Sequence, residues 1–396
     1  MSDSRPTVAV LGGAVAGLAA AEHLRRFGDV TLFERQSYDD KRVNCGEAVN
    51  DAGLVPFPKT PDNGFLTRVD GFDLRVHPST DRDPGAAPLA SPRLGVERGY
   101  ITDRDVLERR WADRLRDRGV EVREGANVTP SRYREVVAEF DRVVDATGQP
   151  ALSLKARGET DRYAGDMVAL NADVTGDFSD YRRHPRIVFE GYVGYGWVFP
   201  KSDGRANVGV GWAGDERPDN YRAALDAFCD RAGVPRPDGG AVNAYTIPRG
   251  PSLAPELVRP EPNVYLVGDA AGIANRYQGE GICQAIRSAW LLADCLADGR
   301  GDDYPDRLYD AMKDEYRLAT LMRGVWEETE DPRLLAAVAA AVDGLTVDDV
   351  TRHPRRVYAR LAARPRLLSR LARVPGLRRR LVDGYRDRWE YDGVTH

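Results

Sequence analysis

The chain has 396 residues, of which 42% are hydrophobic and 30% charged, with a net charge of −5. Such a composition suits a folded globular protein and excludes wholesale disorder. No run approaches the roughly eighteen consecutive apolar residues of a membrane-spanning helix, and the overall acidity argues against nucleic acid as a partner.

In chain order, TVAVL at Thr7–Leu11 predicts a buried strand, Val15 to Phe27 a helix, and Val30 to Phe33 a second strand ending at Glu34. Asp39 to Arg98 is rich in Pro, Gly and Asp, with short strand-like pieces such as FDLRV. Val106, Leu107, Trp111 and Leu115 mark an amphipathic helix over Asp103 to Arg118, followed by the strand VEVRE and the strand and turn RVVDATG. From Asp166 to about Gly214, period-two alternation predicts antiparallel strands. Asn263 to Val267 returns to a parallel-type strand, Gly281 to Ala297 to a helix, and everything after that reads helical. The expected fold class is α/β: a discontinuous Rossmann-like nucleotide domain (1–165 and 260–300), an inserted antiparallel-sheet substrate domain (166–259) and a helical C-terminal region (301–396).

Two segments carry chemistry. In VAVLGGAVAGLAAAEHLRRFGDVTLFER, Gly12 permits the tight turn after the strand and Gly17 lets the helix approach it. The helix N-terminus then faces a pyrophosphate, and Glu34 stands where a carboxylate accepts from ribose hydroxyls, with Arg35 beside it. Ala14 replaces the central glycine of this fingerprint. In VYLVGDAAGIANRYQGEGICQAIRSAWLLADCL, Asp269 follows a strand and suits a ribityl hydroxyl. Gly279 and Gly281 open a helix whose amides at Gly281 and Ile282 suit the electron-rich end of a reduced flavin. A dinucleotide with a flavin, FAD, is therefore the expected cofactor. DRVVDATGQP reads equally as structural or functional.

Together with CGEAV (Cys45 to Val49), ITDR (Ile101 to Arg104) and YGWVFPK (Tyr195 to Lys201), these segments resemble the geranylgeranyl reductase family of flavoproteins, and most closely its archaeal digeranylgeranylglycerophospholipid reductases. The resemblance implies the para-hydroxybenzoate hydroxylase fold and the use of reduced FAD to saturate prenyl double bonds. It implies FAD contacts from Ala16, Glu34, Cys45, Gly46, Ala48, Arg104, Val128, Asp269, Gly281 and Ile282, and a lipid chamber lined by Tyr195, Trp197 and Phe199. These three aromatics alternate along one strand, so they share a face and offer either an aromatic substrate wall or a core-packing surface.

Cys45 reads either as a small buried residue or as a catalytic thiol near the flavin, influencing protonation of the substrate. The other cysteines, Cys229, Cys283 and Cys295, form no close pair with it, and the histidines show no ligand spacing, so no metal is expected. NAD(P)H or a small electron carrier would supply the electrons. Rivals in the same fold are a flavin monooxygenase or halogenase; a non-redox prenyl cyclase or isomerase is a rival of another class.

The N-terminus lacks a secretory pattern, which points to the cytoplasm. Between Arg352 and Arg388 the only acids are Asp383 and Asp387 among many arginines and leucines. That tail reads equally as a segment lying on anionic lipid, giving peripheral membrane contact, or as a helical face packed on the body.

Overall fold

The computed structural model describes residues 5–160, 165–213, 216–238, 242–248, 255–275, 277–329 and 331–386. The end of the arginine-rich tail, including Asp387 and Arg388, lies outside them. The chain opens with β1 (Thr7–Leu11), α1 (Val15–Leu24) and β2 (Asp29–Phe33), then β3 (Ala48–Val49), β4 (Phe65–Val76) and β5 (Arg93–Thr102). Next come α2 (Arg104–Arg116), β6 (Glu121–Arg123), α3 (Pro130–Glu139), β7 (Arg142–Asp145) and α4 (Leu152–Arg157). The middle of the chain holds β8 (Gly165–Thr175), β9 (Arg186–Phe189), β10 (Gly194–Ser202), β11 (Arg205–Ala213), α5 (Tyr221–Ala232), β12 (Asn243–Pro248) and α6 (Pro255–Val258). It closes with β13 (Val264–Leu266), α7 (Ile282–Ala297), α8 (Tyr304–Glu328), α9 (Pro332–Ala341), α10 (Val347–Arg352), α11 (Pro354–Ala362), α12 (Pro365–Leu371) and α13 (Leu377–Arg386).

The first sheet is parallel throughout, in the order β13-β7-β1-β2-β6. Val8, Ala9, Val10 and Leu11 of its central strand are buried on both faces, as a covered parallel strand requires. The chain runs outward from β1 through β2 and returns on the other side through β7. This places a topological switch point at the C-terminal ends of β1 and β7, where open α/β sheets bind ligands.

The second sheet has eight strands, β12-β8-β11-β10-β9-β4-β5-β3, antiparallel throughout except for the β4–β9 pair. The expected domain boundaries need correcting here. β3, β4 and β5 come from the stretch assigned to the nucleotide domain, yet they extend the eight-stranded sheet because β4 pairs with β9. Backbone pairing between distant segments leaves no local sequence mark.

The faces of this sheet divide as the alternation predicts. Val198, Val208 and Val210 pack with Leu225 and Phe228 of α5, while Trp197 and Phe199 turn to the opposite face. There they meet the C-terminal helices. α8 ties the two halves together: Leu308, Met312 and Tyr316 belong to the nucleotide-side core, whereas Leu318, Val325 and Trp326 belong to the sheet-side core. Further on, Val357, Leu361, Leu367, Leu371, Val374 and Leu377 all point inward. The described part of the tail thus packs the apolar face of its helices on the body. Among the described residues no helix is long and apolar enough to cross a membrane.

Candidate active site

The turn after β1 is built by close approach. Gly12 has φ +96°, and a methyl there would stand 2.5 Å from the Ala146 carbonyl oxygen. A methyl on Gly17 would lie 1.8 Å from the Gly12 oxygen, so only glycine lets α1 pack down on the turn. Gly17 therefore shapes the site from beneath without lining it. Ala14 is the N-cap of α1 and makes no side-chain cap bond. Asp145 closes the neighbouring RVVDATG turn, accepting from the Thr147 and Ser153 amides at 3.1 and 2.7 Å.

Above these turns lies a cavity of about 780 Å³. Every other residue expected at the cofactor or substrate lines it: Gly12, Ala14, Ala16, Glu34 and Arg35; Cys45, Gly46, Ala48 and Arg104; Val128, Asp269, Gly281 and Ile282; Tyr195, Trp197 and Phe199. Glu34 is buried, and its carboxylate accepts from the Gly13 amide (2.9 Å), the Gln36 amide (3.0 Å) and Lys41 (2.8 Å). Burial works against its charge, but Lys41 and the two amides outweigh it and hold the carboxyl below the ordinary range.

Two features fit a dinucleotide with a polyhydroxyl linker. Asp269 faces the cavity with no hydrogen-bond donor on its carboxylate among the described residues, and burial pushes its pKa up. Arg104 presents a buried Nε without a partner on the same cavity. A ribityl hydroxyl can donate to such a carboxylate, and a phosphate oxygen can accept from the free Nε of Arg104, whose other end is paired with Glu108. Gly281 is the N-cap of the 16-residue helix α7, which points its free amides at the same space.

Beyond the Cys45–Gly46 turn the cavity becomes apolar. A methyl on Gly46 would lie 3.3 Å from both the Trp197 and Phe199 rings, so the turn rests on the aromatic wall. Ring centroids along that wall are 5.9 Å apart for Tyr195–Trp197 and 6.1 Å for Trp197–Phe199. Leu318, Met322, Leu335, Val338, Val342 and Val357 line the opposite side. Glu280 is the carboxylate nearest this wall, where it acts on the Tyr195 hydroxyl. Cys45 is part-exposed to the cavity, whereas Cys229, Cys283 and Cys295 are buried. Among the described residues no cluster suits a metal ion.

Sequence reasoning missed several lining groups. Lys41 bridges Glu34 and Glu108, at 2.8 and 3.1 Å, from a segment without any motif. Tyr245 and Glu280 also line the cavity, and burial raises the pKa of both. The valines and leucines of α9–α11 carry no chemical signature that could have marked them as chamber wall.

No family model matches the chain. It is 26% identical over 336 residues to a digeranylgeranylglycerophospholipid reductase of Thermoplasma acidophilum, covering 76% of this chain and 80% of the relative. It is 29% identical over 330 residues to the chloroplastic geranylgeranyl diphosphate reductase of Arabidopsis thaliana, covering 76% and 67%. In fold, it matches a geranylgeranyl bacteriochlorophyll reductase-like protein of Thermoplasma acidophilum with a TM-score of 0.65 at 18% identity, over 94% of this chain and 99% of the other. The flavin-dependent halogenase CmlS matches with a TM-score of 0.62 at 18% identity, over 93% and 78%. The fold is thus one used by flavin-dependent enzymes, and the likeness to the geranylgeranyl reductase family read from the sequence holds across about three quarters of the chain.

Proposed function

We propose that the chain is an FAD-dependent reductase of C=C bonds in a prenyl lipid or related isoprenoid. One observation carries this reading: the nucleotide-type cradle and the aromatic and aliphatic wall line a single cavity, with the Cys45–Gly46 turn resting on Trp197 and Phe199. Glu34 would accept from the adenosine ribose, Arg104 would face phosphate, Asp269 would take the ribityl chain, and the Gly281 and Ile282 amides would face the ring. Gly12, Ala14, Ala16, Arg35, Ala48 and Val128 would complete the cradle. Reduced FAD held there would supply the hydride for an isolated alkene.

An unactivated alkene offers no carbonyl to polarise, so the protein must work by alignment and exclusion of water. Tyr195, Trp197 and Phe199 on one side and the α8–α11 aliphatics on the other supply both. The carbon that does not receive hydride needs a proton, and the Cys45 thiol stands where the two branches join. NAD(P)H or a small electron carrier would provide electrons from the cytoplasmic side. The outward arginines of α11–α13 suit peripheral contact with anionic headgroups beside the chamber.

Mass spectrometry after incubating the reduced holoprotein with a prenyl lipid tests the reading. The expected product gains one pair of hydrogens per saturated bond. A product carrying oxygen or halogen would favour the rival chemistry of the same fold, and an isomer of unchanged mass would favour cyclisation.

A further inference from the structure

Two residues in the quoted motifs, Glu47 of CGEAV and Lys201 of YGWVFPK, have no part in the roles assigned so far. Both are buried, at 5% and 7% exposure, and they form an ion pair directly beneath the Cys45–Gly46 turn. Taking two charges out of water costs more than an exposed pair returns, so a buried pair is weak as a device for stability alone. Glu47 is also the one described residue other than glycine with a positive φ, +66°. Left-handed backbone at a residue with a Cβ is disfavoured and persists where the surroundings impose it. Two costly features thus coincide at one residue of the turn that joins the two branches of the cavity.

The contacts show what the cost holds in place. The Glu47 amide donates to Cys45 Sγ at 3.2 Å, and its carbonyl accepts from the Thr102 amide at 2.9 Å. Its carboxylate accepts from the Arg104 amide at 2.9 Å, tying the turn to the start of α2. Lys201 donates in addition to Asp173 at 3.0 Å. Asp173 accepts from Asn207 Nδ2 at 3.3 Å, and Asn207 Oδ1 accepts from the Trp197 indole at 2.8 Å. Asn171, two residues before Asp173 on β8, donates to the Cys45 carbonyl at 3.0 Å. A continuous polar chain therefore runs under the site from the cysteine turn to the aromatic wall.

We propose that Glu47 and Lys201 are a positioning pair that fixes the Cys45 thiol between the cofactor branch and the aromatic wall. The proposal rests on the reading of this cavity as the reaction site. The groups facing Glu47 are Lys201 on β10, Asp173 on β8, Arg104 on α2 and Tyr245 on β12, with Asp105 near Lys201 and Arg205 of β11 near Asp173. Burial pushes the Glu47 carboxyl up to about 7 against the pull of Lys201 and the Arg104 amide, while Glu47 and Asp173 hold Lys201 above its usual range despite burial. Above that pH the pair is ionic; below it Glu47 is neutral and Lys201 keeps Asp173.

The test is the rate at which iodoacetamide alkylates Cys45, followed by peptide mass spectrometry against pH on the protein as purified. It needs neither prenyl substrate nor turnover, so failure of the pair and failure of the proposed reaction are distinguishable. In the wild type the Cys45 profile should contain an inflection near neutrality that Glu47→Gln removes. Glu47→Gln and Lys201→Met should each speed alkylation of Cys45 about tenfold, the change expected when one charge-assisted hydrogen bond is lost. The double variant, which leaves neither charge buried alone, should fold at least as well as Lys201→Met and be no faster than either single variant. The proposal is overturned if folded variants keep the wild-type rate and inflection. It is equally overturned if all four cysteines speed up together, because that would be general loosening.

Discussion

Lys41 holds its ammonium 2.8 Å from the Glu34 carboxylate and the same distance from the Gly13 carbonyl. The acid proposed to read the ribose is thus kept ionised and aimed by a cation that no motif contains. Glu34→Ala should weaken FAD binding by about 1.5–3 kcal/mol, the worth of a charge-assisted hydrogen bond. Lys41→Met should do so mainly in acid. Without Lys41, burial dominates and the carboxyl protonates more readily as pH falls, removing the acceptor. Flavin titrations from about pH 5 to 8 should be nearly flat for the wild type and fall on the acid side for the variant. A flat profile in both would remove Lys41 from this role.

The fingerprint's alanine gives a second prediction. Ala14 caps α1 without a side-chain bond, and glycine is the better N-cap residue. Ala14→Gly should bind FAD more tightly and leave thermal stability within about 0.5 kcal/mol, as calorimetry would show. Gly17→Ala should instead cost folding, because its methyl would enter the Gly12 carbonyl. Equal behaviour of the two variants would contradict this division of roles.

These glycines, Glu34 and Asp269 were legible because strand, turn and helix follow one another within a few residues. The aromatic wall was legible for the same reason, since alternation along one strand fixes a face. The far wall was not. It is made of Val338 on α9, Val342 at its C-terminal end and Val357 on α11, and any buried helix carries such residues. Nor was the membership of β4 and β5 in the eight-stranded sheet, which depends on pairing of β4 with β9 over a hundred residues away. The polar chain under Cys45 escaped because Asn171 and Asn207 look like ordinary strand polars until folding buries them, and Asp173 stays exposed like any strand-edge acid.

That far wall can be tested by filling it. Ala339 lines the chamber on α9, so Ala339→Phe should shorten it while leaving FAD bound. Overpacking would cost about 1–3 kcal/mol, so folding is checked by thermal melt first. A folded variant should lose activity on long prenyl chains more than on short ones. Uniform loss across chain lengths would place Ala339 away from the substrate.

Glu315 of α8 is buried and accepts from Asn275 and Gln284 at 3.1 and 2.6 Å. Burial pushes its carboxyl up to about 7 from 4.5, with the two amides pulling the other way. The native state thus holds a proton that the unfolded chain has released, and the stability it contributes is present at low pH and lost as pH rises through about 7. Glu315→Gln should therefore raise stability at about pH 8, by up to roughly 3 kcal/mol, and have little effect at about pH 5. Urea melts at the two values check this, and a destabilised variant at the higher pH would refute it.

Arg355, Arg360, Arg366, Arg373 and Arg378 are exposed and without a carboxylate partner among the described residues. Leu368 on α12 with Arg366 and Val382 on α13 with Arg378 are exposed by 40% and 44%. Replacing three of these arginines by alanine should weaken binding to anionic vesicles by about 1 kcal/mol each, while neutral vesicles bind neither form. Co-sedimentation that is insensitive to the substitutions would leave the arginines as solvated surface.

The central claim is that flavin in the cradle passes electrons to an alkene in the apolar branch. Anaerobic mixing of the dithionite-reduced, flavin-loaded protein with a prenyl lipid, after excess reductant is removed, tests it most directly through flavin absorbance. The lipid should reoxidise the flavin without oxygen. Trp197→Ala, once shown to be folded and flavin-loaded, should slow this step, since the variant loses the aromatic wall and the Asn207 bond but no cradle residue. Flavin that stays reduced with the lipid and reoxidises only when oxygen is admitted would contradict the account.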